Sequence, residues 1–317
     1  MNYIRITKEN IDKEHICCAM SGKQSVAKKE WLRQRFDDGL VFYRSEERGK
    51  CFIEYIPAEN AWVPIAADGY LYINCLWVSG SMKGHGYSND LLEACICDAK
   101  AQGKKGICIL CAEGRKREFL ADPKFLKYKG FKVADISDCG INLMYLPLAE
   151  SAQPPKFKAC AKHPKVEEKG FVLYYTDQCP YTYYWVPRVQ EAAKEHGIPF
   201  KVIHITDKES AQNVPAPVTT YALFRDGQFL TQSIQSDKNQ EIQFISIHTN
   251  LTSENGTHDQ DSGKRVSIVD KVTYKGLETG KQYTLKGTLM NKKTGEAFTD
   301  ADGKTVSIVG TDGTTYV

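Results

Sequence analysis

Hydrophobic and polar residues alternate in two different rhythms along the first 148 residues. Strand-like runs occur at NYIRI, LVFYRS, KCFIEYIP, YLYINCLWV, GICILC, FKVADI and INLMYLPL, with turn signals such as EERG and ADG between them. The run VAKKEWLRQRFDDG has helical spacing, and a second helical stripe is formed by Leu91, Leu92, Cys95, Ile96 and Ala99. This order predicts a mixed α/β domain at residues 1–148, with helices covering a sheet.

Residues 149–168 follow neither rhythm and are rich in proline and lysine, which is typical of a linker. From residue 169 to residue 243 the rhythms return in the order strand, helix, strand, short helix, strand, strand. We therefore predict a second, smaller α/β domain after the linker.

Beyond residue 246 the chain has no cysteine, and threonine, glycine, aspartate and lysine dominate. Turns separate the strand-like runs RVSIVDKVTY, KQYTLKGTLM and KTVSIVG. This composition predicts an all-β module at residues 246–317. Since the chain stops in strand-like sequence at Tyr316 and Val317, we interpret the module as a β-sandwich fragment that lacks its last strands.

The charge of the 317-residue chain is nearly balanced, with 42 basic and 39 acidic residues and a formal net charge of +3. Such a balance creates no global field that would favour nucleic acid or a membrane surface as a partner. The first ten residues, MNYIRITKEN, lack the apolar core of a signal peptide, and no run approaches the length that crosses a bilayer. We expect a soluble, cytoplasmic protein with no nucleic-acid or membrane partner.

All eleven cysteines lie between Cys17 and Cys179. Their odd number and irregular spacing argue against a disulfide framework, and reduced thiols in a cytoplasmic chain fit better. Close pairs such as Cys95 and Cys97 lack further Cys or His residues at ligand spacing, so no metal site is expected.

The stretch WVSGSMKGHGYSNDLLE, residues 77–93, joins a predicted strand to a predicted helix through Gly80, Gly84 and Gly86. Glycines in this position present backbone N–H groups at the positive end of the helix dipole, which suits a pyrophosphate. The spacing matches neither the Walker loop nor the dinucleotide fingerprint. A tight turn with glycines at positive φ is the alternative interpretation.

This stretch resembles the acetyl-CoA pyrophosphate loop of the GNAT acetyltransferases, written Q/R-x-x-G-x-G/A. Lys83 stands at the first position, Gly86 at the glycine and Ser88 at the final small residue, and the element order of residues 1–148 is similar to that of the family. In that family the strand before the loop splays from its neighbour and pairs with the pantetheine arm. The resemblance implies acetyl-CoA as co-substrate, contacted by Leu76, Trp77, Val78, Lys83, Gly84, His85, Gly86, Tyr87 and Ser88.

Acetyl transfer to an amine requires a base that removes an ammonium proton and an acid that protonates the departing thiolate. In many GNAT relatives the acid is the tyrosine of a Y-x-x-x-G-F signature, but FLKYKGF places Leu126 at that position. Tyr128 is the candidate acid, with a packing tyrosine as the alternative. Glu54 and Glu59 are the candidate bases, and an exposed glutamate without a role is the alternative for each.

The basic loop EGRKRE, residues 113–118, is a candidate contact for the 3'-phosphate of CoA. A solvated charge run is the alternative interpretation of this loop.

The run YYTDQCPYTYYWVPRVQEAAKE resembles the first strand, active-site turn and helix of thioredoxin and glutaredoxin folds. Cys179 opens a C-P-Y-T motif in which Thr182 replaces the second cysteine of the glutaredoxin form. The resemblance implies a cis-proline at Pro217 and places Cys179 at a helix N-terminus, where the dipole would stabilise a thiolate. Without a resolving cysteine, dithiol exchange within the motif is excluded.

Residues 1 to about 240 together resemble bacterial GNAT proteins that carry a YoaP-like C-terminal domain, through the passages ITKENIDKEHI, EYIPAENAWVPI, DPKFLKYKGFKV and VLYYTDQCPYT. The run VSIVDKVTYKGLETGKQYTLKGTLMNKKTGEAF resembles the VaFE or Thr-Gln ester repeats of Gram-positive surface proteins, with Thr249 near the ester threonine. A surface repeat behind a cytoplasmic enzyme suggests a fused or truncated reading frame with its junction near residues 243–246. A natural accessory domain is the alternative.

The leading hypothesis is an acetyl-CoA-dependent N-acetyltransferase whose acceptor is a primary amine of a small molecule or peptide. One alternative is a monothiol redox or glutathione-dependent module centred on Cys179. Another is a binding or surface protein with a non-catalytic acetyltransferase-like fold, which the displaced tyrosine favours. The resemblance does not identify the acceptor, because acceptor pockets in the family are built from variable loops.

Overall fold

The computed structural model describes residues 1–16, 18, 22–113, 119–236, 246–253 and 268–275, and short pieces between residues 282 and 316. Residues 1–240 form one compact unit, and residues 241–317 form another. We call residues 1–148 the first module and residues 169–236 the second module.

A seven-stranded mixed sheet forms the centre of the first module. Its strands are β1 (Tyr3–Ile6), β2 (Val41–Ser45), β3 (Lys50–Pro57), β5 (Tyr70–Ser79), β6 (Gly106–Ala112), β7 (Lys132–Ile136) and β8 (Ile141–Pro147), while the short β4 (Ile65–Ala66) lies outside the sheet. The strand order is β1-β2-β3-β5-β6-β8-β7. Of these neighbours only β5 and β6 run parallel, as a strand–helix–strand crossover requires. The mixed α/β fold predicted for this region is confirmed.

Helices cover both faces of the sheet. They are α1 (Lys23–Arg35), α2 (Tyr87–Ala101) and α3 (Pro123–Tyr128), with single 3-10 turns at residues 36–38, 58–60 and 80–82. Successive residues of a strand point to opposite faces, so Phe52 of β3 packs in the cluster that contains Trp31 of α1, and Ile53 packs in the cluster that contains Leu91 of α2. The sheet is therefore buried between α1 on one side and α2 on the other.

The segment predicted to be a linker is folded against the first module. It contains β9 (Lys156–Phe157), which pairs with β4, and α4 (Ala159–Lys162). Phe157 and Ala161 are buried, and Asp135 of β7 accepts hydrogen bonds from the Phe157 N–H at 3.0 Å and the Lys162 ammonium at 2.5 Å. These apolar anchors outweigh the proline- and lysine-rich composition on which the linker prediction was based.

The second module has a four-stranded sheet and two helices. Its elements are β10 (Phe171–Tyr175), α5 (Pro180–Glu195), β11 (Phe200–His204), α6 (Lys208–Ala211), β12 (Tyr221–Arg225) and β13 (Gln228–Thr231). The strand order is β11-β10-β12-β13, in which only β10 and β11 are parallel. The order of elements agrees with the predicted one. The peptide bond before Pro217 is trans, so the cis bond implied by the thioredoxin resemblance is absent here.

The two modules share one hydrophobic cluster. It contains Phe42 and Trp62 of the first module together with Val172 and Phe224 of the second. Hydrogen bonds cross the same boundary, from Thr219 Oγ1 to the Trp62 carbonyl at 2.5 Å and from Gln212 Nε2 to the Ala61 carbonyl at 2.9 Å. Residues 1–240 consequently pack as one body, although the sequence suggests two domains joined by a linker.

The C-terminal unit is described only in part, and the regular elements within the described residues are strands. β14 (Ser246–Ser253) and β15 (Ile268–Lys275) form an antiparallel pair. The shorter pairs join β16 (Gln282–Tyr283) to β19 (Thr315–Tyr316) and β17 (Gly287–Thr288) to β18 (Ser307–Ile308). Thr249 lies in β14 opposite Val272, and residues 241–245, which include most of the suggested junction, lie outside the described residues.

Candidate functional site

The parallel strands β5 and β6 separate halfway along their length. They pair from Tyr70 and Gly106 to Ile73 and Ile109, after which β5 continues to Ser79 paired only with β3. Further along β6, Cys111 forms an isolated parallel β-bridge with Ala121. Within the described residues, no strand pairs with the β6-facing edge of β5 after Ile73, so its backbone groups are available to a ligand.

A bulge in β5 lies at the point of separation. Glu54 is opposite Cys75 and Tyr55 is opposite Ile73, so Asn74 is an extra residue in the β5 strand. A bulge bends its strand and increases the local twist, which is the physical cause of the splay. The residues before Asn74 are buried, whereas those from Asn74 to Ser79 are partly exposed along the opening.

The three glycines lie where β5 leads into α2. Gly80, Gly84 and Gly86 have φ values of 65°, 86° and 81°, as the turn interpretation requires. A Cβ atom added at Gly80 or Gly84 would meet nothing within 4 Å, and one at Gly86 would meet only Asn89 Nδ2, at 3.7 Å. These glycines therefore combine the backbone geometry of a turn with an open surface in front of a helix N-terminus.

Residues 83–88 of this loop are exposed or partly exposed, whereas Met82 before them is buried. Lys83 and His85 are exposed, Tyr87 and Ser88 are partly exposed, and the His85 and Tyr87 rings stack with their centroids 5.3 Å apart. Because the loop continues directly from the open half of β5, the structure brings residues 83–88 to one end of the edge formed by Leu76, Trp77 and Val78.

Two tyrosines fix α2 against the sheet. Tyr3 Oη donates to Asp90 Oδ2 at 3.0 Å, and Tyr55 Oη donates to Asp98 Oδ2 at 2.5 Å. Burial and the hydrogen bond to the aspartate raise the pKa of each phenol, so both remain protonated donors. These bonds hold the helix whose N-terminus carries the glycine loop.

Glu54 lies next to the bulge in a closed polar cluster. Its side chain is 1% exposed, Oε2 accepts a 2.5 Å hydrogen bond from Lys28 Nζ, and Oε1 accepts a 2.9 Å bond from Asn74 Nδ2. Lys28 is 2% exposed and also donates to the Gln178 carbonyl at 2.7 Å. The interpretation of Glu54 as an exposed glutamate is wrong, because its side chain is buried and both carboxylate oxygens accept hydrogen bonds.

Glu59 lies in a different part of the module. It follows β3 at the end where Pro57 is opposite Leu71, in the half of β5 that stays paired with β6. Its side chain is 47% exposed and forms a 2.9 Å ion pair with Lys104. Burial would raise the pKa of Glu59, but the Lys104 hydrogen bond, a backbone hydrogen bond and the Lys104 charge together outweigh it, so the pKa is lowered and the carboxylate is a weaker base.

Tyr128 is the last residue of α3 and is 82% exposed. The interpretation of Tyr128 as a packing residue is therefore wrong. Leu126, which occupies the position of the family's tyrosine, is fully buried and packs with Phe131 and Met144.

Cys179 is the N-cap residue of the 16-residue helix α5, as the sequence predicts. Although part of the residue reaches the surface, burial of the thiol raises its pKa to about 11, against the opposing effects of the Tyr181 N–H and Lys28. The expected stabilisation of a thiolate by the helix dipole is wrong, since the desolvation penalty is larger. Thr182 Oγ1 donates to the Thr176 and Cys179 carbonyls, at 2.9 and 2.7 Å, instead of providing a second thiol.

Lys28, Asn74 and Gln178 are functional candidates that the sequence reasoning missed. A signal for Lys28 is present, because Ser25, Lys28 and Leu32 have the i, i+3, i+7 spacing of the buried face of α1. No comparable signal exists for the other two, since their roles depend on a bulge and on contact between the modules.

Among the described residues, no group of three His, Cys, Asp or Glu side chains is arranged to hold a metal ion. In the same part of the chain, no helix combines the length and the hydropathy that a membrane span requires. Residues 114–118 of the basic loop, proposed above to contact the 3'-phosphate of CoA, lie outside the described residues.

Comparison with known proteins gives one extended match to a curated relative. The uncharacterized N-acetyltransferase YoaP of Bacillus subtilis (strain 168) is 46% identical over 240 residues, which cover 74% of this chain and 95% of the relative. The family described as YoaP-like matches residues 199–240, and the family described as T-Q ester bond containing domain matches residues 245–315.

Solved structures also show similarity over about half of the chain. A GNAT family acetyltransferase from Brucella melitensis in complex with acetyl-CoA is 13% identical, with 50% of this chain and 96% of that chain covered and a TM-score of 0.32. The GNAT family N-acetyltransferase YhbS from Escherichia coli in complex with CoA is 12% identical, with 50% and 89% covered and a TM-score of 0.35.

Proposed function

Since the chain belongs to the N-acetyltransferase family of YoaP, we propose that it transfers an acetyl group from acetyl-CoA to a primary amine. The observation that carries this proposal is the separation of β5 from β6 after Ile73 and Ile109, which leaves a strand edge open beside the glycine loop. A cytoplasmic location for residues 1–240 is part of the same proposal.

The open edge has the chemistry that acetyl-CoA needs. We propose that the backbone from Leu76 to Val78 pairs with the amide groups of the pantetheine arm, as an added strand would. The pyrophosphate would lie on the loop from Lys83 to Ser88, against N–H groups at the start of α2 and near the Lys83 ammonium. The absence of side-chain atoms at Gly84 and Gly86 supports such a close approach.

Among the acidic candidates, Glu54 has the better position to act as the base. It accepts a hydrogen bond from Asn74, the residue at which the strands separate, whereas Glu59 follows β3 at the end that faces the paired half of β5. We propose that Glu54, directly or through a water molecule, accepts one proton of the acceptor ammonium. The neutral amine then attacks the thioester carbonyl, the C–N bond forms, the C–S bond breaks, and the departing CoA thiolate takes up the second nitrogen proton through solvent. Tyr128 stays a prediction as the acid, and its exposure gives it little support.

Isothermal titration of the full chain with acetyl-CoA tests the binding step. We expect saturable binding at one site, and its absence would remove the proposal. A turnover screen with acetyl-CoA and representative amine classes, including polyamines, amino sugars and peptide N-termini, then tests for catalysis and identifies the acceptor. Binding without turnover of any amine would favour the non-catalytic alternative.

A further inference from the structure

The second module reaches into the polar cluster around Glu54. The carbonyl of Gln178, which immediately precedes Cys179 at the start of α5, accepts a hydrogen bond of 2.7 Å from Lys28 Nζ. The same nitrogen lies 2.5 Å from Glu54 Oε2. One ammonium group on α1 therefore joins the turn of the second module to the candidate base.

The cluster continues to the open edge of the sheet. Glu54 Oε1 accepts from Asn74 Nδ2 at 2.9 Å, and Asn74 is the bulge residue at which β5 leaves β6. Three hydrogen bonds thus form an unbroken connection from Gln178 through Lys28 and Glu54 to Asn74. The centre of the connection is shielded from solvent, since Lys28 and Glu54 are at most 2% exposed.

The charge state of Lys28 excludes a role as proton acceptor and favours a role in orienting its hydrogen-bond partners. Burial would lower the pKa of the ammonium, but the Glu54 carboxylate and neighbouring thiols outweigh it and raise the pKa. Lys28 is therefore a permanent cation at neutral pH, which makes it unsuitable as a proton acceptor. A buried charge requires hydrogen-bonded partners. The Lys28 ammonium therefore fixes the orientation of its two acceptors, the Glu54 carboxylate and the Gln178 carbonyl.

We propose that Lys28 is a positioning residue that holds Glu54 towards the open edge of β5 and takes its own position from the Gln178 carbonyl of the second module. This inference rests on the proposed acetyl transfer. It makes the second module part of the acetyl-transfer site, because the Glu54 orientation depends on a turn that the first module does not contain.

Hydrogen–deuterium exchange on the full chain tests the connection without an acceptor. Acetyl-CoA is expected to slow exchange of the peptide that covers residues 177–182 by about threefold or more in the wild-type protein, since binding along the open half of β5, which begins at Asn74, would restrict the connected turn. The effect is expected to be lost in Lys28→Met and retained in part in Lys28→Arg. Lys29→Met is the matched control, because Lys29 on the same helix donates to the Asp12 carbonyl near solvent, at 3.2 Å, and it should behave as wild type.

Steady-state kinetics supply a second readout, with the best amine of the screen as acceptor or with water if acetyl-CoA hydrolysis is the faster reaction. We expect Lys28→Met to lower kcat by about 10-fold or more with an acetyl-CoA Kd within about twofold of wild type, because base positioning affects the chemical step. Unchanged exchange and unchanged kcat in Lys28→Met would overturn the inference while leaving the proposed function intact. Wild-type protein that binds no acetyl-CoA would remove both.

Loss of folding in Lys28→Met would be handled by a second variant. The double substitution Lys28→Met with Glu54→Gln removes both buried charges together, which proteins tolerate better than removal of one partner. If Lys28 acts through Glu54, the double variant has the same kcat as Glu54→Gln alone within about threefold. A further decrease of about 10-fold or more would show that Lys28 acts independently and would overturn the inference.

Discussion

Ile73 of β5 and Ile109 of β6 form the last residue pair between these two strands. Asn74, directly after Ile73, donates a hydrogen bond to Glu54. Asn74 therefore marks the start of the opening for a ligand and also contacts the candidate base. β5 leads from this point to the glycine loop. One strand therefore aligns the proposed binding surface for the pantetheine arm and pyrophosphate of CoA with the Glu54 carboxylate, the proposed proton acceptor.

The glycine loop provides the first test of this arrangement. We expect Gly86→Trp to abolish acetyl-CoA binding, because the indole would occupy the open surface in front of α2. Gly103→Trp is the matched control, since Gly103 also has a positive φ and open space but lies beyond the other end of the helix. Both substitutions carry a similar backbone strain of about 1–2 kcal/mol. Isothermal titration that gave equal loss of binding in both variants would contradict a specific role for the loop.

Acid–base roles are separated by a pair of isosteric substitutions. Glu54→Gln is expected to lower kcat by about 100-fold or more, because it removes the carboxylate that would accept the proton. Glu59→Gln serves as its control and is expected to leave kcat within about twofold of wild type, because Glu59 lies at the paired end of β5. Initial rates per folded molecule decide the point, and equal kcat in wild type and Glu54→Gln would exclude Glu54 as the base.

Tyr128→Phe tests the candidate acid. We expect kcat to change by less than about threefold, because a phenol that is 82% exposed is not held in a fixed position and water is available to protonate the thiolate. A decrease of about 100-fold at unchanged acetyl-CoA Kd would instead assign Tyr128 the acid role.

Hydrophobic periodicity was sufficient to predict most elements of residues 1–240. The stripe that contains Leu91 and Cys95 is buried in α2, and the glycines at 84 and 86 stand at its N-terminal end. Composition was misleading at residues 149–168, because a few apolar anchors such as Phe157 decide whether a polar segment packs. The pattern of a strand predicts which face a residue occupies, but it does not reveal a bulge.

The candidate site was predictable only where it depends on local sequence. The helical spacing places Lys28 on the buried face of α1, but nothing in that helix indicates the contact with the Gln178 carbonyl of the second module. Cys179 was correctly placed at a helix N-terminus, but the burial that determines its pKa comes from tertiary packing. Contacts between segments about 150 residues apart carry no signal in either segment alone.

The buried pair of Lys28 and Glu54 predicts a defined effect on stability. Lys28→Met should lower the free energy of unfolding by about 3–5 kcal/mol, because it leaves the Glu54 carboxylate buried without its cation. The folded-state pKa of Lys28 is raised, so its stabilising contribution is fully present below the unfolded value of about 10.4 and is lost as pH rises through the folded value.

Denaturant unfolding of wild type and Lys28→Met at several pH values measures this effect. The difference between the two proteins should be constant from about pH 7 to pH 9 and should shrink only above about pH 10.4. A difference that disappeared between pH 7 and pH 9 would mean that Lys28 loses its proton there, which contradicts the ion pair.

Cys179 gives a prediction that separates acetyl transfer from the thiol-centred alternative. With a pKa of about 11 the thiol should carry on the order of 100-fold less thiolate at pH 7.5 than an unperturbed cysteine, and thiolate is the form that reacts with iodoacetamide. Peptide mass spectrometry after timed alkylation should therefore show Cys179 modified much more slowly than the exposed Cys97 in the same molecule. Because burial protects the neutral thiol, its rate should keep rising up to about pH 11. Faster alkylation of Cys179 than of Cys97 at pH 7.5 would restore the reactive-thiol hypothesis.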